Sequence, residues 1–85
     1  MLFDRSLVYP VENGVGAYVE LVGVITAVAD ELSNCFPVTV KTNKGTFVGY
    51  WHHPTTSPPL GSNATIRIYD GGYLDDRIVG WSIPD

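Results

Sequence analysis

Apolar and polar positions alternate with a period of two over most of this chain, and clusters of turn-forming residues interrupt the alternation. The clearest case is Val38 to Trp51, where two alternating runs flank Thr42-Asn43-Lys44-Gly45-Thr46 in the pattern of a β-hairpin. A type I turn closed by Gly45 in the left-handed region, the G1-bulge form of a three-residue loop, sets Thr42 opposite Thr46. In that register Val38, Val40, Val48 and Tyr50 face the core, while Thr39, Lys41, Phe47, Gly49 and Trp51 share the outer face. A two-residue turn at Lys44-Gly45 instead moves Phe47 and Trp51 to the side of Val38 and Val40, because a one-residue slip inverts every side chain.

Three more strands follow from the same pattern. Ala17 to Asp30 is the longest apolar run and is rich in β-branched residues, which predicts a strand. Gly23 in its middle lets it bend and serve two sheets, with Val19 and Leu21 on one side and Val24, Thr26 and Val28 continuing after a bulge. Ala27 and Ala29 keep a short helical turn over 27–33 open as the rival reading. Ala64 to Asp70 alternates cleanly, with Ala64, Ile66 and Ile68 inward against Thr65, Arg67 and Tyr69 outward. Arg77 to Ile83 is the last strand, its apolar face formed by Val79, Trp81 and Ile83. Between these two lies a turn around Gly71-Gly72, with Asp70, Asp75 and Asp76 read as solvated. Residues 1–16 form an arm in which Leu7-Val8-Tyr9 makes a short strand stopped by Pro10, and residues 53–63 form a loop whose three prolines disfavour helix.

Five strands, the first long and bent, with little or no helix, must close on themselves or leave edges that a small protein can hardly cover. The expected fold is therefore all-β, a small five-stranded closed or partly open barrel. The whole chain, 1–85, is one domain: the 1–16 arm, a barrel over 17–83, and the 53–63 proline-rich loop within it. In architecture this order resembles OB-like and SH3-like barrels, both of which use five strands. An OB fold often places a helix between its third and fourth strands, and here the 53–63 segment takes that place.

Length and charge narrow the function. A chain of 85 residues has room for one core and buries only roughly 60 to 65% of its unfolded surface, so its aromatics are needed for packing. Five basic residues against nine acidic ones give a net charge of -4 and a pI near 4.8, which disfavours tight capture of a phosphate backbone. No run of 18 apolar residues is present and Asp4 and Arg5 interrupt the amino-terminal segment, so neither a membrane span nor a secretory signal is expected and the chain is placed in the cytoplasm. Cys35 is the single cysteine and has no internal disulfide partner.

The candidate binding residues are Thr39, Lys41, Phe47 and Trp51 on the outer hairpin face, joined by Tyr69 and Tyr73. They offer either a stacking surface for single-stranded nucleic acid or a contact face for protein, and the competing role for the rings is burial. His52-His53 with Cys35 suggests a metal site, but neighbours on a strand point to opposite faces and no spaced ligand motif supports it, so no metal is expected. The aspartates around Gly71-Gly72 lack the ligand alternation of a calcium loop. Cys35 with a histidine is the one nucleophile-and-base combination, and beside Phe36 it reads better as a packing residue. Gly14-Val15-Gly16 precedes a strand, not the helix that a phosphate loop needs, and no cofactor is expected. The chain is thus expected to be no enzyme but a protein interaction or assembly module, binding a protein partner or further copies of itself. The alternative is an OB-like barrel for single-stranded nucleic acid.

Overall fold

A computed structural model describes residues 18–32, 34–52, 56–69 and 75–84. They form β1 (Tyr18–Val28), β2 (Phe36–Thr42), β3 (Gly45–Trp51), β4 (Asn63–Tyr69) and β5 (Arg77–Ser82). The strands close into a barrel in the order β1-β2-β3-β5-β4. Every neighbouring pair is antiparallel except β3 and β5, which meet in parallel at Tyr50 and Arg77. The expected all-β, five-stranded barrel is what the chain forms, with no helix among the described residues. The 1–16 arm, His53, Asp70, Tyr73 and the Gly71-Gly72 pair lie outside those residues.

β1 is long because it serves two neighbours. Residues 18–24 pair with β4 and residues 23–28 with β2, so Gly23 stands opposite Thr42 on one side and Ala64 on the other. Only glycine fits there, since a Cβ would collide with the Lys41 carbonyl oxygen. A bulge forms, but at Thr26 and not at the Gly23 bend: the β1–β2 register shifts between Ile25 and Ala27. The extra residue re-phases the strand, so that Ile25 and Val28 both reach the core cluster while Val22 and Val24 point outward. This corrects the expected face of Val24 and Thr26, which are exposed, while Val28 packs inward as expected. The helical alternative over 27–33 does not form: the Ala29 N–H donates to the Pro37 carbonyl at 2.9 Å, and Leu32 bridges Cys35. A ladder partner outweighs alanine's helix preference, which is worth under about 1 kcal/mol per residue.

The hairpin forms, but in a different register. Thr42 lies opposite Gly45, and Val40 pairs with Phe47, Val38 with Gly49 and Phe36 with Trp51. The turn is therefore Asn43-Lys44, fixed by the Thr42 side chain: its Oγ1 accepts the Lys44 N–H at 3.0 Å and donates to the Gly45 carbonyl at 2.8 Å. Gly45 does carry a positive φ of 130°, yet as the residue closing the tight turn and without a bulge. The one-residue slip brings Phe47 inside, where it is 1% exposed, and leaves Val48 and Tyr50 outside. Gly49 also faces in, against Ile66 and Ile78.

β4 is as expected, with Ala64, Ile66 and Ile68 buried. β5 is not: a register shift opposite Thr65 and Ile66 makes Val79 a bulged residue. Ile78 and Trp81 then share the inner side, three positions apart, while Val79 and Ile83 are exposed. The described part of the proline-rich segment packs onto the barrel. Pro58 is buried, Thr56 accepts the Trp51 indole N–H at 2.7 Å, and the Pro59 carbonyl accepts both the Ser62 N–H and its hydroxyl. Gly61 and Ser62 continue the β4 ladder to Ile25 with two bonds of 2.9 Å. Asp76 closes the remaining corner. It is buried, not solvated as expected, because its carboxylate accepts the Tyr69 N–H and its carbonyl accepts the Tyr50 N–H, joining the ends of β4 and β3 to the start of β5.

Candidate functional site

The barrel distributes the residues singled out from the sequence over three places. Phe47 belongs to the core, and Trp51 is half-buried against it with its indole N–H tied to Thr56. Neither ring stands on an outer face as expected. Thr39 and Lys41 do point outward from β2, paired with Val48 and Thr46. Tyr69 points outward from β4, which is separated from β2 by β1. Lys41 pairs with Val24 and Tyr69 with Tyr18, roughly 20 Å apart along β1 at 3.3 Å per residue. The five described residues of the expected set thus form no single platform, and Tyr73 lies outside the described residues.

A different face is assembled on β1, β4 and β5. Cross-strand pairing lines up Val22 with Thr65 and Gly80, and Val24 with Asn63 and Ser82. Val22 is 67% exposed, Val24 43% and the bulged Val79 43%. A shallow cleft of about 230 Å³ runs beside Val22, Thr65 and Gly80 and reaches Trp81. Gly80 leaves it open, since a Cβ there would meet no atom within 4 Å.

Next to this strip the charges are already matched. Arg67 donates through Nε and one terminal nitrogen to a single Glu20 oxygen, at 3.2 and 2.8 Å. Its guanidinium carbon lies 4.3 Å from the centre of the Tyr18 ring, and Tyr18 and Tyr69 meet at 5.6 Å with their planes tilted by 59°. The Glu20 carboxylate first, and the Tyr69 side chain second, push the Arg67 pKa above its ordinary range. The alternation of β4 had set Arg67 and Tyr69 outward, but Glu20 and Tyr18 stand 47 and 51 positions from those partners, and only the β1–β4 register brings them together.

Among the described residues, exposed cations are few and lie on different elements. Lys41 and Lys44 belong to the hairpin, whereas Arg77 starts β5 beside Arg67. Cys35 donates its thiol to the Leu32 carbonyl at 3.0 Å, within a turn where Asn34 has a φ of 68°. Among the described residues no three histidine, cysteine or acidic side chains gather as metal ligands, and no helix is long and apolar enough to cross a membrane. Compared with protein-family models, curated proteins and solved structures, the chain matches none.

Proposed function

We propose that the chain is a non-enzymatic protein-docking module built on an OB-type barrel, and that the outer face of β1, β4 and β5 is its contact surface. The OB assignment is supported by the long first strand shared between β2 and β4 and by the parallel closure of β3 on β5. Fold alone does not assign the function. The observation that carries it is the strip of Val22, Val24 and Val79 beside an ion pair already satisfied within the sheet. Water-exposed valines in a small barrel forgo burial that folding would otherwise use, and an apolar strip with charges at its rim suits a protein partner. Glu20 on β1 and Asp76 just before β5 are each engaged in holding the sheet.

The oligonucleotide reading is favoured by the Tyr18–Arg67–Tyr69 cluster, which has the composition of a base-stacking site. It stands second, because Phe47 lies in the core and Arg67 is held by Glu20. A photoreactive phenylalanine analogue placed at Val22, Val79 or Lys44, with the protein expressed in its native cell, separates the two. Protein adducts from positions 22 and 79 and none from 44 are expected, at twice the chain mass if the partner is a second copy. Nucleic-acid adducts, or equal protein adducts from all three positions, contradict the proposal.

A further inference from the structure

We propose that Arg77 anchors this docking face by taking a carboxylate from a partner protein, on a segment where the acidic side chain is flanked by small apolar ones. The inference rests on the protein-docking reading and names the chemistry of the partner.

A row of outward side chains crosses four adjacent strands. Tyr50 on β3 stands beside Arg77 on β5, Arg77 opposite Arg67 on β4, and Arg67 opposite Glu20 on β1. Like charges directly opposite one another destabilise a sheet, so folding gives no reason for the Arg77–Arg67 pair. Glu20 answers Arg67 alone. Arg77 is exposed and has no ion-pair partner among the described residues. A residue that works against the fold at a cleft is the kind that a binding surface retains.

The two clefts beside Arg77 differ in charge. One, of about 340 Å³, carries Asp75 together with His52 and Tyr69, and Asp75 opposes an anion there. The other, of about 210 Å³, is lined by Trp51, His52, Arg67, Arg77, Ile78 and Val79, with no acidic side chain among the described residues that line it. Val79 joins that cleft to the exposed valines. A carboxylate in it meets the Arg77 fork, and the neighbouring apolar side chains of the same segment reach Val79 and the open surface over Gly80. A single carboxylate fits this field better than a phosphate chain, which would run on over Asp75 or Glu20 in a protein of net charge -4.

The test titrates the full chain with three probes at low salt, reading the Arg77 Nε–H and the amides of residues 77–80 by NMR. The probes are a hexapeptide of alternating valine and glutamate blocked at both ends, its glutamine counterpart, and hexathymidylate. The glutamate peptide is expected to shift these signals with an affinity at least about tenfold above the glutamine peptide, and Arg77→Gln should remove that advantage. The variant's melting temperature should be equal to or above that of the wild type, which keeps the result separate from unfolding. Equal binding of the two peptides overturns the carboxylate assignment and leaves the docking face standing, as does the absence of any shift at Arg77 up to about 10 mM peptide. Tighter, steeply salt-dependent binding of hexathymidylate overturns both readings.

Discussion

The β2–β3 hairpin and the β1–β4–β5 wall use similar residue types for opposite ends. In the hairpin, the rings of Phe47 and Trp51 turn toward the barrel interior, and the outer face is left to Thr39, Lys41, Thr46, Val48 and Tyr50. On the wall, the isoleucines fill the interior, and tyrosines, arginines and valines stand outside. A barrel this small has one core, and once Phe47, Ile66, Ile68 and Ile78 fill it, further apolar side chains stay outside. Val22, Val24 and Val79 are among those side chains, the first two on one face of β1 and the third across β4 on β5, while Val48 and Ile83 are exposed elsewhere. A ring's identity therefore does not tell whether it recognises a partner. Its register does.

Mutations at the two regions separate packing from recognition. Phe47→Ala should have the largest effect, about 3 to 5 kcal/mol of lost stability measured by urea denaturation, enough to unfold a marginal domain. A loss below about 1 kcal/mol would return Phe47 to the surface and reopen the stacking face. Gly23→Ala should cost about 1 to 3 kcal/mol, because the new methyl meets backbone at Lys41 and backbone yields little. Gly80→Ala, in the open cleft of the wall, should change stability by less than about 0.5 kcal/mol. Equal costs at the two glycines would mean that the wall is covered. Trp51→Phe should lower stability by about 1 kcal/mol through loss of the bond to Thr56, seen as a shifted denaturation midpoint with an unchanged slope. The smallest change is expected for Arg77→Gln, a slight rise in melting temperature as the repulsion from Arg67 is removed.

The sequence made the strands legible where one face alternated without interruption. Ala64 to Tyr69 is the plain example, and its inward and outward residues could be named in advance. Three local events hid the rest. The Thr42 hydroxyl selects a two-residue turn over a three-residue one, and this single choice decides the side of Phe47. The bulges at Thr26 and Val79 each re-phase a strand partway along; no glycine or proline adjoins Thr26, and Gly80 beside Val79 does not by itself mark a bulge. Asp76 looks like any turn aspartate until the ends of β3 and β4 come close enough to need its oxygens. The wall was the least legible part, since it depends on pairing β1 with β4 across more than forty residues of chain.

The central claim is that the wall's valines serve a partner and not the fold, and one doubly substituted protein tests it. In Val22→Lys/Val79→Lys, the melting temperature and the yield of protein adduct from a photoreactive analogue at position 24 are measured on the same sample. A melting temperature within about 2 °C of the wild type, with the adduct lost, is the predicted result. Undiminished adduct, or a melting temperature that falls as far as it does for Phe47→Ala, would contradict it.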